Sequence, residues 1–194
     1  MPSVRVETIA EHVFDVDDPK KDFQTIRRPD GQGAASYVNG SPESPYCLRF
    51  VCYDDYLHQF VFDDGGGHSN VNLLKDGLHC ADFIVYDSGE NRAWLIVHEL
   101  SKGAEKNKRS QGRLQLSNTL DMLCKSPEVK ELINGFKNKW CVLSAHDERI
   151  VSPMDMAAPF MLAYTVLPEP REFHFGSIRR FGFRAFETSK VVLS

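Results

Sequence analysis

The stretch HCADFIVYDSGENRAWLIVHELSKGAEKNKRSQGRLQLSNTLDML, His79 to Leu123, decides how this chain folds. Cys80 to Asp87 and Arg92 to Leu100 are rich in Val, Ile, Phe and Trp, and the Ser-Gly-Glu-Asn between them is turn chemistry. Together they predict an antiparallel hairpin. Pairing Ser88 with Asn91 across a tight Gly89-Glu90 loop sets a register in which Asp82 faces Val97 and Cys80 faces Glu99. Side chains alternate with period two, so Asp82 and Glu99 share a face as diagonal neighbours, roughly 7–8 Å apart at Cα. Burying two carboxylates side by side is costly unless a cation neutralises them, and a hard ion such as Mg²⁺ (or Mn²⁺) suits oxygen donors. Lys102 follows directly and would add a positive charge.

Beyond the hairpin, residues 102–113 hold Lys102, Lys106, Lys108, Arg109 and Arg113 against one acid, Glu105. Lys106, Arg109 and Arg113 recur at i, i+3 and i+7, which puts them on one face of a helix that reaches that far back. Such a face is either a phosphate-contacting ridge or a solvated helix start. The helix is expected to run through Leu114, Gln115, Leu116, Leu120 and Leu123 and to stop near Lys125-Ser126-Pro127. Ser126 then caps a second helix with Pro127 at its first position and Val129, Leu132, Ile133 and Phe136 as its buried stripe. Lys139 to Ser144 reads as a central strand that follows the two helices as a βαβ crossover would. Hairpin, helices, strand is the order of an α/β fold, a mixed central sheet with helices packed on it.

Asp82, then a hydrophobic strand ending in an acid and a lysine, then a helix carrying Gln115, resembles the PD-(D/E)xK nuclease superfamily. More narrowly, CADFIVYD, AWLIVHELSKG and QLSNTL look like its small bacterial members. The resemblance implies a restriction-endonuclease-like fold and Mg²⁺- or Mn²⁺-dependent hydrolysis of DNA or RNA. It makes Asp82, Glu99 and the Leu100 carbonyl the metal ligands, Lys102 the charge stabiliser and Gln115 the polar residue of the helix, with Lys106, Arg109 and Arg113 positioning the nucleic-acid backbone. One departure is plain. The family's Glu-x-Lys is here Glu99-Leu100-Ser101-Lys102, so alternation puts Ser101 on the Glu99 face, and a bulge at Ser101 would be needed to rotate Lys102 back.

The 194 residues are expected to form one domain, with an extension or arm over 1–46, a sheet and helix core over 47–145, and loops and late strands over 146–194. Glu7 and Glu11 are spaced for one helical face, and RRPDGQGAASYVNGSPESP reads as a loop. Tyr46 to Val51 and Tyr56 to Phe62 give a second hairpin signal, ended by Asp-Asp-Gly-Gly-Gly at 63–67. Phe173, Phe175, Phe181, Phe183 and Phe186 suggest one or two late strands at a sheet edge. Five cysteines with no CxxC pair, no leader pattern and no run of apolar residues long enough for a membrane helix give a cytoplasmic expectation with no membrane. A net charge of −4 argues against coating nucleic acid nonspecifically, so any such contact is local.

Two rival readings use the same residues. A zinc site from His79, Cys80, His98 and Glu99 has suitable donors, but His79 and His98 fall on the face opposite Cys80 and Glu99. A non-enzymatic protein on a nuclease-like scaffold, binding protein or nucleic acid without cutting, fits the displaced lysine. No Gly-x-Ser-x-Gly elbow or metalloprotease histidine spacing is present.

Overall fold

The hairpin forms, and the described helices and the strands at 34–39 and 190–193 pack against its two faces. The computed structural model describes residues 3–6, 11–15, 23–27, 34–39, 47–52, 59–63, 68–72, 79–87, 92–102, 106–125, 127–146 and 170–194. In chain order these give β1 (Ser3–Val6), β2 (Glu11–Asp15), β3 (Phe23–Arg27), β4 (Ala34–Asn39), β5 (Cys47–Cys52), β6 (Gln59–Asp63) and β7 (His68–Asn72). The hairpin strands are β8 (Phe83–Asp87) and β9 (Trp94–Lys102). Helices α1 (Lys106–Leu123) and α2 (Pro127–Asn134) lead into β10 (Asn138–His146). β11 (Arg171–Phe173), the short helix α3 (Gly176–Arg179), β12 (Arg184–Glu187) and β13 (Lys190–Leu193) follow.

Among the described residues the main sheet has the order β11-β12-β10-β9-β8-β5-β2. β9 and β10 are parallel, joined through α1 and α2, while β8 and β9 are antiparallel. The sheet is therefore mixed and the protein is α/β. One face is covered by α1, α2 and α3, which bury Leu116, Leu120, Val129, Ile133 and Ile178 against Ile84, Leu95, Val97 and Leu143. Each such aliphatic side chain contributes about 1.5–3 kcal/mol by leaving water. The other face is covered by the sheet β13-β4-β3, which brings Ala35, Tyr37, Val191 and Leu193 onto Phe83, Val85, Ile96, Leu100 and Val142.

The boundaries of α1 and α2 follow the expected stop at Lys125 and the start at Pro127. Several expectations are corrected. Glu11 lies in strand β2, paired with Val51, so no helix carries it there. Ala34–Asn39, read as loop, is β4, where Tyr37 and Val38 supply strand-forming side chains to a parallel pairing with β13. β5 and β6 are strands, yet they are not each other's partners. β5 lies between β2 and β8, and β6 between β1 and β7. A strand-like run is competent to pair with any edge, and its local pattern does not name the partner. The segment 147–169 lies outside the described residues.

Candidate metal centre

The hairpin register differs from the expected one. Phe83 pairs with His98, Ile84 with Val97 and Tyr86 with Leu95. The pairing is two residues on from a tight Gly89-Glu90 turn because the connection is longer. Arg92 sits at φ 44°, in the left-handed region, and Ala93 N–H donates to Asp87 Oδ2 at 2.9 Å, so Asp87 closes the turn with its side chain. A shift of two preserves the face of every side chain and moves Asp82 from a diagonal position to one directly opposite Glu99 in the continued register. Both are buried, at 5% and 3% exposure.

Asp82 stands at a bend just before β8, where the backbone ladder to β9 ends. Its Oδ2 accepts the Leu100 N–H at 2.7 Å, so the carboxylate takes over where backbone pairing stops and is fixed at the end of β9. Three polar residues of α1 hold the chain leading into it. Gln115 Nε2 donates to the Cys80 carbonyl, Asn118 Nδ2 to the His79 carbonyl, and Thr119 Oγ1 accepts the Ala81 N–H at 2.8 Å. Positions 115, 118 and 119 are i, i+3 and i+4, one stripe of a helix. Gln115 is thus a positioning residue for the segment that ends in Asp82. Asn118 and Thr119 escaped the sequence reading, although their spacing from Gln115 was the available signal.

Glu99 lies under α1. A Cβ added at Gly112 would come within 2.6 Å of Leu143 Cδ1 and 3.3 Å of Glu99 Cγ, so glycine is what lets the helix approach the sheet here. Both carboxylates are thus buried where α1 meets the end of the hairpin. β9 pairs with β10 residue for residue through Ser101 with Ala145 and Lys102 with His146, so there is no bulge at Ser101. Ser101, buried, holds the position two on from Glu99. Lys102 ends the strand, and its side chain, like that of Lys106, lies outside the described residues.

Arg109 and Arg113 of α1 face the C-terminal strands. Arg109 Nε lies 2.9 Å from Glu187 Oε1 of β12, and the Arg113 guanidinium is 4.6 Å from the centre of the Phe173 ring of β11. Among the described residues no group of three or more His, Cys, Asp and Glu side chains gathers as a metal cluster. The donor set at the hairpin is two carboxylates with the neighbouring Leu100 backbone. Its chemistry, hard oxygen donors only, fits Mg²⁺ or Mn²⁺ in kind.

On the opposite face of β9 lies a second polar arrangement that sequence reasoning missed. His98 is fully buried, with Nδ1 2.6 Å from Tyr37 Oη and Nε2 2.7 Å from Ser144 Oγ. Ser144 Oγ donates at 2.6 Å to the Thr188 carbonyl, which has no proton to give. Its only proton being used there, Ser144 accepts from Nε2–H, and Nδ1 accepts from Tyr37 O–H. Burial lowers the His98 pKa from 6.5 to about 3 and raises that of Tyr37 well above its usual value, so both are neutral. The serine, histidine and tyrosine have the spacing of a nucleophile chain, but the serine proton points away from the imidazole. The chain is a clasp between the main sheet and β4. His98 and Glu99 therefore face opposite sides, as alternation requires, and they cannot ligate one zinc ion.

No helix among the described residues is long and apolar enough to cross a membrane. Comparison with protein-family models, with curated proteins and with solved structures finds no match to this chain.

Proposed function

We propose that this protein is a metal-dependent nuclease of the PD-(D/E)xK-like type, with a restriction-endonuclease-like core, that hydrolyses phosphodiester bonds of DNA or RNA. The observation that carries the reading is that Asp82 and Glu99 are both buried where the β8–β9 ladder ends, with the Asp82 carboxylate accepting the Leu100 N–H. The order of Asp, acid-bearing strand and Gln115-bearing helix supports it, as does the α/β architecture.

In this reading Asp82, Glu99 and the Leu100 carbonyl hold Mg²⁺ or Mn²⁺. When bound, such an ion polarises a phosphate oxygen and lowers the pKa of an attacking water. The chain's own contribution is orientation. Gln115, Asn118 and Thr119 fix the approach to Asp82, and Gly112 seats α1 over Glu99, which keeps bulk water from that side. Lys102 is the candidate for stabilising charge developed on the phosphate.

A second reading, a binding protein that keeps the scaffold without cutting, is favoured by the unbroken pairing through Ser101 and Lys102, which gives no bulge to restore the Glu-x-Lys spacing. Cleavage of single- and double-stranded DNA and RNA, measured with Mg²⁺ or Mn²⁺ for the wild type and Asp82→Ala, separates the two. Metal-dependent cleavage lost in Asp82→Ala is the expected result. Absence of cleavage by a wild type that binds the metal supports the second reading.

A further inference from the structure

Charge is divided unevenly along this chain. Residues 106–146 and 170–194 carry 13 Lys and Arg against 5 Asp and Glu, while the remainder carries 10 against 22. An overall acidic protein therefore has a basic excess concentrated in one part of the chain, where α1, α2, β10, β11, α3 and β12, with the short connections between them, hold all but Lys190 of these 13. Within it the acids are largely matched already. Asp121 pairs with Arg180, Glu172 with Arg184 at 2.9 Å, and Glu187 with Arg109. Arg171 and Arg179 are exposed and form no ion pair with a described residue.

The arginines here are also held flat. The Arg180 guanidinium lies 4.7 Å from the Phe181 ring centre and that of Arg184 4.8 Å from Phe186, which itself packs on Trp140 at 4.4 Å. These two guanidinium groups are also engaged by Asp121 and Glu172, so the cations of this face left for a ligand are Arg171 and Arg179. The Glu172 carboxyl is held below its usual range chiefly by its hydrogen bond from Arg184, with His174 and Arg179 adding to the field, so these cations share one patch.

We infer that the β11–α3–β12 face, centred on Arg171 and Arg179, is a nucleic-acid backbone-binding surface that acts independently of the Asp82 and Glu99 site. Both are exposed, and a guanidinium with no carboxylate partner can take phosphate oxygens in pairs. A lipid surface is the poorer fit, because Leu114 of α1 is the one exposed large hydrophobic side chain among the described residues and membrane association needs an apolar face.

The test is fluorescence anisotropy of a labelled oligothymidine in EDTA over a series of salt concentrations. The wild type binds with a salt-dependent affinity. The Arg171→Ala/Arg179→Ala double variant binds about tenfold more weakly, with a log–log salt slope shallower by about 2, whereas Arg179→Lys keeps the slope. Arg92→Ala, which removes an exposed charge at the far end of the hairpin, leaves both unchanged. Equal loss in Arg92→Ala, no change in the double variant, or binding to phosphatidylserine vesicles without binding to the oligonucleotide overturns the inference. Because EDTA removes metal, failure here leaves the cleavage assay intact, and failure of cleavage leaves this binding intact.

Discussion

Strand β9 sets two polar residues in succession, His98 and Glu99, and its two faces treat them in different ways. On the β4 side, His98 joins Tyr37, Ser144 and the Thr188 carbonyl in a chain where every step matches a donor to an acceptor and every group is neutral. On the α1 side, Glu99 lies near the end of the ladder from which Asp82 reaches Leu100 N–H, beneath a helix that a glycine allows so near. A buried polar network that is complete in itself rigidifies a core. Two buried carboxylates near one another are the kind of arrangement that the proposed metal site would use.

The comparison breaks most visibly if the clasp is removed. His98→Ala leaves a cavity and strands Tyr37 Oη and Ser144 Oγ, and a loss of about 3–5 kcal/mol in chemical denaturation is expected. The same clasp makes an acid signature. The folded pKa of His98, about 3, is below the unfolded value of 6.5, so the unfolded chain takes up the proton first. Stability from this group is complete above pH 6.5 and is lost as the pH falls toward 3, at about 1.4 kcal/mol per unit. Between about pH 7.5 and 4.5 the wild type is expected to lose about 2.5 kcal/mol more than His98→Gln does. Equal pH dependence of the two proteins would show that His98 is not held neutral.

On the other face the effects are smaller and differ in sign. Gly112→Ala gains up to about 1 kcal/mol of helix propensity but presses on Leu143 and Glu99. Overpacking of about 1–3 kcal/mol outweighs that gain, and thermal melting is expected to show a net loss of about 1–2 kcal/mol. Glu99→Gln removes one of two adjacent charges. In EDTA it is expected to raise stability by about 1 kcal/mol while abolishing metal-dependent cleavage, the trade expected of a functional carboxylate. Lower stability together with retained cleavage would place Glu99 with the structural residues.

Much of this division was legible in the sequence, and what was hidden has physical reasons. Period-two alternation alone put Asp82 and Glu99 on one face and His98 on the other, and it survives a register shift of two. The shift itself was hidden in the turn, where Asp87 and Arg92 provide a longer closure that polar turn residues do not specify. α1 and α2 were readable from their apolar spacing and from Pro127. The roles of Gln115, Asn118 and Thr119 appear only once the helix lies over residues 79–81. The clasp was not legible, because Tyr37, His98 and Ser144 are brought together by tertiary packing across separations of 61 and 46 positions. The partners of β5 and β6 were lost for the same reason.

Isothermal titration of Mn²⁺ and Mg²⁺ into the wild type, Asp82→Asn and Glu99→Gln tests the proposal that Asp82 and Glu99 together hold a hard divalent cation. Asp82→Asn keeps an acceptor for the Leu100 N–H, so the fold is expected to persist while the charge is gone. One binding event in the wild type, lost in both variants, is the predicted result. Binding that persists unchanged in both variants, or no binding by a folded wild type, would contradict it.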